Sequence, residues 1–189
     1  MAESCAADHA IFRLNGTLDK WTALDLDELI QERIAGLLFA NPTRINYYER
    51  YQEIIAAYNS EQDRATIEKT FAELMKLAQS MTQEEQRYVR EGFTSDEELS
   101  LYDMLFRDDL SKADIKKIKE VSVSLLARVK EKISQLDHWT DKQETKAMIE
   151  VLIRDTLYCE LPECYDDPSI DYYREQIYEY VYTRYPDVA

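Results

Sequence analysis

Apolar residues recur at three- and four-residue intervals along almost the whole chain, the period that lines one face of an α-helix. Leu26, Leu29, Ile30, Ile34, Leu37 and Leu38 predict a helix from Leu24 to Ala40, with Thr22 as its N-cap and Asn41-Pro42 as its stop. Tyr47, Tyr51, Ile54, Ile55 and Tyr58 predict a second, from Arg44 to Tyr58, ended by Asn59-Ser60. Ile67, Phe71, Leu74, Met75 and Ala78 predict a third, from Asp63 to Met81. Three capping boxes follow, Thr82 with Glu85, Ser95 with Glu98 and Ser111 with Asp114, and each marks a helix start. They divide the next stretch into short helices from Gln83 to Glu91 and from Asp96 to Arg107, then a long one from Lys112 to Leu136. Thr140 opens a helix that runs to about Leu161 before Pro162, and a last one runs from Ser169 to Tyr185 before Pro186. No stretch alternates with the period of a strand. The expected fold is all-α, an irregular multi-helix bundle of about eight helices without strands.

Composition agrees. The chain has 189 residues with 3 Gly and 4 Pro, far below the roughly 7% and 5% of ordinary usage, which argues against a turn-rich β-sandwich or barrel. Phosphate-cradling loops need clustered glycines, and Gly16, Gly36 and Gly92 stand far apart, so no nucleotide-binding fingerprint is present. No apolar run reaches the roughly 20 residues of a membrane span, and the N-terminus lacks the charged and apolar regions of a signal peptide. The cysteines, Cys5, Cys159 and Cys164, are an odd number in a chain long enough to need no staples, which points to a reducing cytoplasm. The expected organisation is a leader over residues 1–23 of uncertain order, an N-terminal helical lobe of linking helices over 24–110, and a C-terminal helical lobe over 111–189.

Charge changes this picture more than its total suggests. The formal net charge is -15, but residues 1–110 carry -11, residues 111–154 carry +3 and residues 155–189 carry -7. On a helical wheel, Ile115, Ile118, Ser122, Leu125, Val129, Ile133 and Leu136 form one apolar stripe of the long helix. Lys112, Lys116, Lys119 and Lys130 form a second stripe about 100° away. That stripe suits phosphates, or else it is a solvated face paired with Glu120 and neighbouring helices. The last predicted helix carries Tyr172, Tyr173, Tyr178, Tyr180, Tyr182 and Tyr185 around Ile170, Ile177 and Val181. Tyr173, Ile177, Tyr180 and Val181 suit a core face, and the tyrosines beyond it suit a protein interface.

Catalytic constellations do not assemble. Cys159 and Cys164 flank Leu161-Pro162 without the further ligands of a zinc site nearby in sequence, and His9 and His138 are the only histidines. Asp137-His138-Trp139 reads as a loop between helices, lacking an activated nucleophile. Glu144-Thr145-Lys146 has the spacing of a magnesium nuclease motif, but it lies in the first turns of a helix where carboxylates do not converge on one ion. Asp108-Asp109 and Asp166-Asp167 are ordinary features of an acidic surface. No catalytic, cofactor-binding or metal residue is therefore assigned.

Three segments, KADIKKIKEVSVSLLARVKEKI, DHWTDKQETKAMIEVLIRDTLYCELPECYDD and YREQIYEYVYTRY, resemble the C-terminal region of the R (motor) subunit of type I restriction-modification enzymes. The preceding NYYERYQEIIAAYN resembles the helices leading into it. The resemblance implies a fragment of a longer ATP-dependent site-specific deoxyribonuclease, with ATP and magnesium used only by nuclease and helicase-like parts that this sequence lacks. It implies a non-catalytic domain that docks the motor onto the methyltransferase and specificity subunits and helps hold double-stranded DNA, weakly and through its backbone. It raises Lys112, Lys116, Lys117, Lys119, Arg128, Lys130 and Lys132 as phosphate contacts, which would be independent of base sequence. Tyr172, Tyr178, Tyr182 and Tyr185 are the partner-interface candidates. The alternative is a free-standing acidic regulator that mimics DNA with its carboxylates.

Overall fold

A computed structural model describes residues 20–60 and 64–186. Eight α-helices occur among the described residues, and no strand does: α1 (Lys20–Ala40), α2 (Ile45–Ser60), α3 (Arg64–Glu85), α4 (Arg87–Glu91), α5 (Asp96–Leu105), α6 (Lys112–Ser134), α7 (Gln143–Glu160) and α8 (Asp167–Arg184). The fold is all-α. Contacts separate it into two compact units, one ending at Glu85 and the other beginning at Gln86.

The first unit is built by α1, α2 and α3 around Leu26, Ile30, Ile34 and Leu37 of α1, Tyr51 and Ile54 of α2, and Leu74, Leu77 and Met81 of α3. Asn41 ends α1 and caps the single 3₁₀ turn Pro42–Arg44, its side-chain oxygen accepting from the Thr43 amide at 3.1 Å. That turn carries Arg44 into the interior, only 2% exposed, where its guanidinium donates to Glu84 of α3 at 3.0 Å. The Tyr51 hydroxyl donates to Asp27 at 2.6 Å and accepts from Gln31 at 2.7 Å, tying α2 to α1. Burial and the Asp27 carboxylate push the Tyr51 phenol up to about 12.

The second unit packs α4 to α8 around one apolar cluster. Leu99, Leu101 and Leu105 of α5, Ile118, Leu125, Val129 and Ile133 of α6, Ile149, Ile153 and Leu157 of α7, and Ile177 and Val181 of α8 are almost fully buried. Ser111 and Asp114 form the expected reciprocal cap of α6. Ser95 accepts from the Glu98 amide to start α5, and the Glu98 carboxylate reaches back to the Thr94 amide at 2.7 Å.

Several element boundaries differ from the pattern-based expectation. Thr82 and Glu85 do not start a helix: α3 runs through to Glu85, because the Thr82 hydroxyl donates back to the Ala78 carbonyl at 3.2 Å while Arg33 takes both Thr82 and Glu85 as acceptors. Thr140 does not open α7, which begins at Gln143; its hydroxyl donates instead to the Pro186 carbonyl at 3.1 Å. The last helix starts earlier than Ser169, since Asp166 accepts from the Ser169 amide and Pro168 sits in the first turn, where its missing N–H costs nothing. Helix α1 already runs from Lys20, so Thr22 lies inside it. Asp63, Cys5, His9 and residues 1–19 of the leader lie outside the described residues. Helices α4 and α5 share the core of α6 to α8, so the compact C-terminal unit begins at Gln86, whereas the charge pattern places a lobe boundary at residue 110.

Candidate functional site

The long basic helix α6 faces the core with Ile118, Val121, Ser122, Leu125, Leu126, Val129 and Ile133, and the Ser122 hydroxyl is satisfied by the Ile118 carbonyl at 2.7 Å. Its seven candidate phosphate contacts divide into two groups. Lys119 donates to the Glu91 carboxylate at 2.9 Å and the Glu91 carbonyl at 2.8 Å, and its ammonium sits 5.4 Å from the Phe93 ring centroid and 5.3 Å from that of Tyr102. Lys130 pairs with Glu97 and covers the Tyr185 ring at 5.3 Å. Arg128 pairs with Glu160 of α7 at 2.5 Å. These three cations tie helices together. Lys116 has only a loose 3.8 Å pairing with Glu120, and both ends are exposed. Lys112 and Lys117 are exposed, Lys132 is half-buried, and none of the three has a charge partner among the described residues.

Wheel position separates the less committed lysines as well. Lys112 and Lys116 lie within about 40° of each other at the start of α6, whereas Lys117 and Lys132 lie about 140° to 160° from Lys112 on the other side. The seven residues therefore do not form one continuous cationic face.

Glu97 is the residue that sequence reasoning missed. It stands on α5 between Lys130 of α6 and the end of α8, where Arg184 approaches at 3.7 Å and Tyr185 adjoins it. Burial pushes its carboxyl up, but Lys130, Tyr185 and Arg184 together outweigh burial and hold it below the ordinary glutamate value. The same junction half-buries Tyr185, and desolvation with the Glu97 charge raises its phenol strongly. The sequence signal was the acidic first turn Asp96-Glu97-Glu98, which also reads as a favourable helix start and so hides a tertiary partner.

The four tyrosines offered as partner contacts also divide. Trp139, 1% exposed, donates its indole N–H to the Tyr185 carbonyl at 2.6 Å, and the rings of Tyr178 and Tyr182 meet it edge-on at 6.4 Å and 5.7 Å. The Lys146 ammonium stands over the Tyr182 ring at 5.7 Å. Tyr178, Tyr182 and Tyr185 therefore belong to the seal between the α6–α7 loop and the end of α8. Tyr172, 58% exposed, is the most outward-facing member of the set, ahead of Tyr182 at 40%, and among the described residues its ring contact is with Tyr173.

Among the described residues no group of three His, Cys, Asp or Glu could hold a metal ion. Cys159 and Cys164 are exposed free thiols. Asp109 is held below the ordinary aspartate range by the Arg107 hydrogen bond, and Asp166 by its hydrogen bonds to Ser169, so both stay charged as structural acceptors. Glu144 stands in the first turn of α7 on the solvent side, and Lys146 is spent on the Tyr182 ring. No described helix is long and apolar enough to cross a membrane.

The family described as type I restriction enzyme HindI endonuclease subunit-like, C-terminal, matches residues 15–171. The chain belongs to this family. Comparison with curated proteins and with solved structures gives no match. The family match runs through both compact units, from α1 into the start of α8, so this type I restriction endonuclease C-terminal domain comprises the three-helix unit as well as the five-helix one.

Proposed function

We propose that this domain is the non-catalytic assembly element of a type I restriction enzyme motor subunit, docking the ATP-dependent translocase and endonuclease onto the methyltransferase core. The observation that carries the reading is the match to a C-terminal domain of an endonuclease subunit over residues 15–171. The internal use of charge supports assembly as the main role and DNA handling as a minor one. Lys119, Arg128 and Lys130 are occupied by Glu91, Glu160 and Glu97, leaving Lys112, Lys116, Lys117 and Lys132 to meet phosphates from two sides of α6. With a net charge of -15, such contacts are weak, insensitive to base sequence and strongly salt-dependent.

The test is removal of the domain from the full-length subunit. The shortened subunit is expected to retain ATP hydrolysis on DNA by its motor and to lose association with the methyltransferase and specificity subunits. Normal assembly and cleavage by the shortened subunit would overturn the docking role. Reversing Lys112, Lys116 and Lys117 to Glu reads the DNA role separately: motor affinity for DNA falls and its salt slope flattens by up to about three charges. An unchanged salt slope would leave assembly alone.

A further inference from the structure

Helix α7 is apolar on two opposite faces. Ile149, Ile153, Thr156 and Leu157 enter the core. On a helical wheel Met148, Val151 and Tyr158 centre about 170° from them. These three are 48%, 51% and 42% exposed, so the direction that a surface helix ordinarily gives to charge carries a Met, a Val and a Tyr. Glu144 and Asp155 interleave with them on the same face, and neither has a charge partner among the described residues. Of the neighbouring cations, Arg154 lies over the Tyr158 ring at 5.5 Å at the edge of this face, while Lys146 stands over Tyr182 and Arg174 pairs with Glu150 at 2.5 Å. The face thus carries two carboxylates without a charge partner among the described residues, spaced 11 residues and about 16 Å apart along the helix, with Met148 and Val151 between them and Tyr158 one turn beyond Asp155.

We propose that the outer face of α7 docks a basic amphipathic helix of the partner protein, with apolar side chains seated on Met148, Val151 and Tyr158 and Lys or Arg residues paired with Glu144 and Asp155. Charge complementarity selects this occupant. A phosphate backbone is repelled by the two carboxylates, and an acidic helix would leave four like charges facing one another. Helix-on-helix seating needs no change in the second unit's core, because the residues concerned point away from it. The proposal rests on the docking role given above and adds its surface and the chemistry of the partner segment.

A photo-crosslinking residue placed at position 151 of the full-length subunit, in the reconstituted complex with methyltransferase and specificity subunits, tests it. Position 89, where Val is 62% exposed on α4, serves as the control. The expected product joins position 151 to a helical segment bearing at least two Lys or Arg, with no such product from position 89. A product with an acidic segment, with DNA or with a second copy of this chain would overturn the proposal, as would no product above the control.

Affinity gives the second readout. Met148→Glu with Val151→Glu, and separately Glu144→Lys with Asp155→Lys, are each expected to weaken assembly at least tenfold while the melting profile of the chain is kept. Affinity within twofold of the parent in both pairs would discard this face. If deletion of the domain still abolished assembly, docking itself would stand and another face would carry it. If deletion left assembly intact, the docking role would fail with it.

Discussion

Trp139 shows how one side chain fixes a terminus. The loop between α6 and α7 turns through His138 at φ +47, a left-handed conformation that few side chains adopt, and delivers the indole into the core against Tyr178, Tyr182 and the Tyr185 carbonyl. Trp139→Ala is expected to cost about 3–5 kcal/mol, from a large cavity plus an orphaned carbonyl, read by urea denaturation of the chain. Glu97 works by charge instead. Because its folded carboxyl lies below the ordinary glutamate value, its contribution is present above that value and is lost as pH falls through the lower, folded one. Glu97→Gln should therefore destabilise by about 1 kcal/mol at neutral pH, discounted for its partial exposure, and the difference from the parent should vanish in acid, well below roughly pH 4.3. A difference that persisted unchanged at low pH would contradict the ionic account.

At the scale of elements, helix periodicity was legible and helix ends were legible only where local chemistry decided them. Ser111-Asp114, Ser95-Glu98 and Asn41-Pro42 act within a few residues, and each stands where the pattern puts it. Thr82-Glu85 has the same spelling, but Arg33, 49 residues earlier, claims both side chains, and nothing local records that. Thr140 is diverted in the same way by Pro186.

Two glycines test the local reading with opposite signs. Gly92 ends α4 at φ +83, and its amide bonds back into the helix as a left-handed C-cap, so Gly92→Ala should destabilise by about 1 kcal/mol. Gly36 lies within α1, with nothing within 4 Å of an added Cβ, so Gly36→Ala should stabilise by about 0.5–1 kcal/mol. Thermal melts of the two variants should move in opposite directions.

For the molecule as a whole, the sequence declared its lysines and hid what holds them. The +3 segment is real in the sequence, yet Lys119, Arg128 and Lys130 meet carboxylates that lie 28, 32 and 33 residues away in the chain, which no periodicity reveals. The tyrosine-rich finish likewise reads as surface until Trp139 is seen to gather three of the four tyrosines singled out there. What was legible was the family. Its fold follows from two separate apolar clusters, one in α1 to α3 and one in α4 to α8. Residues 86–189 are accordingly expected to fold alone with a cooperative transition, and a non-cooperative melt of that fragment would contradict the division at Glu85.

Sedimentation of the isolated chain mixed with the methyltransferase and specificity subunits is the sharpest check on the assembly role proposed for this type I restriction endonuclease C-terminal domain. Co-migration as one heavier species at micromolar concentration, without DNA or ATP, is the predicted result. Independent sedimentation of the chain and the methyltransferase core at every concentration would contradict it.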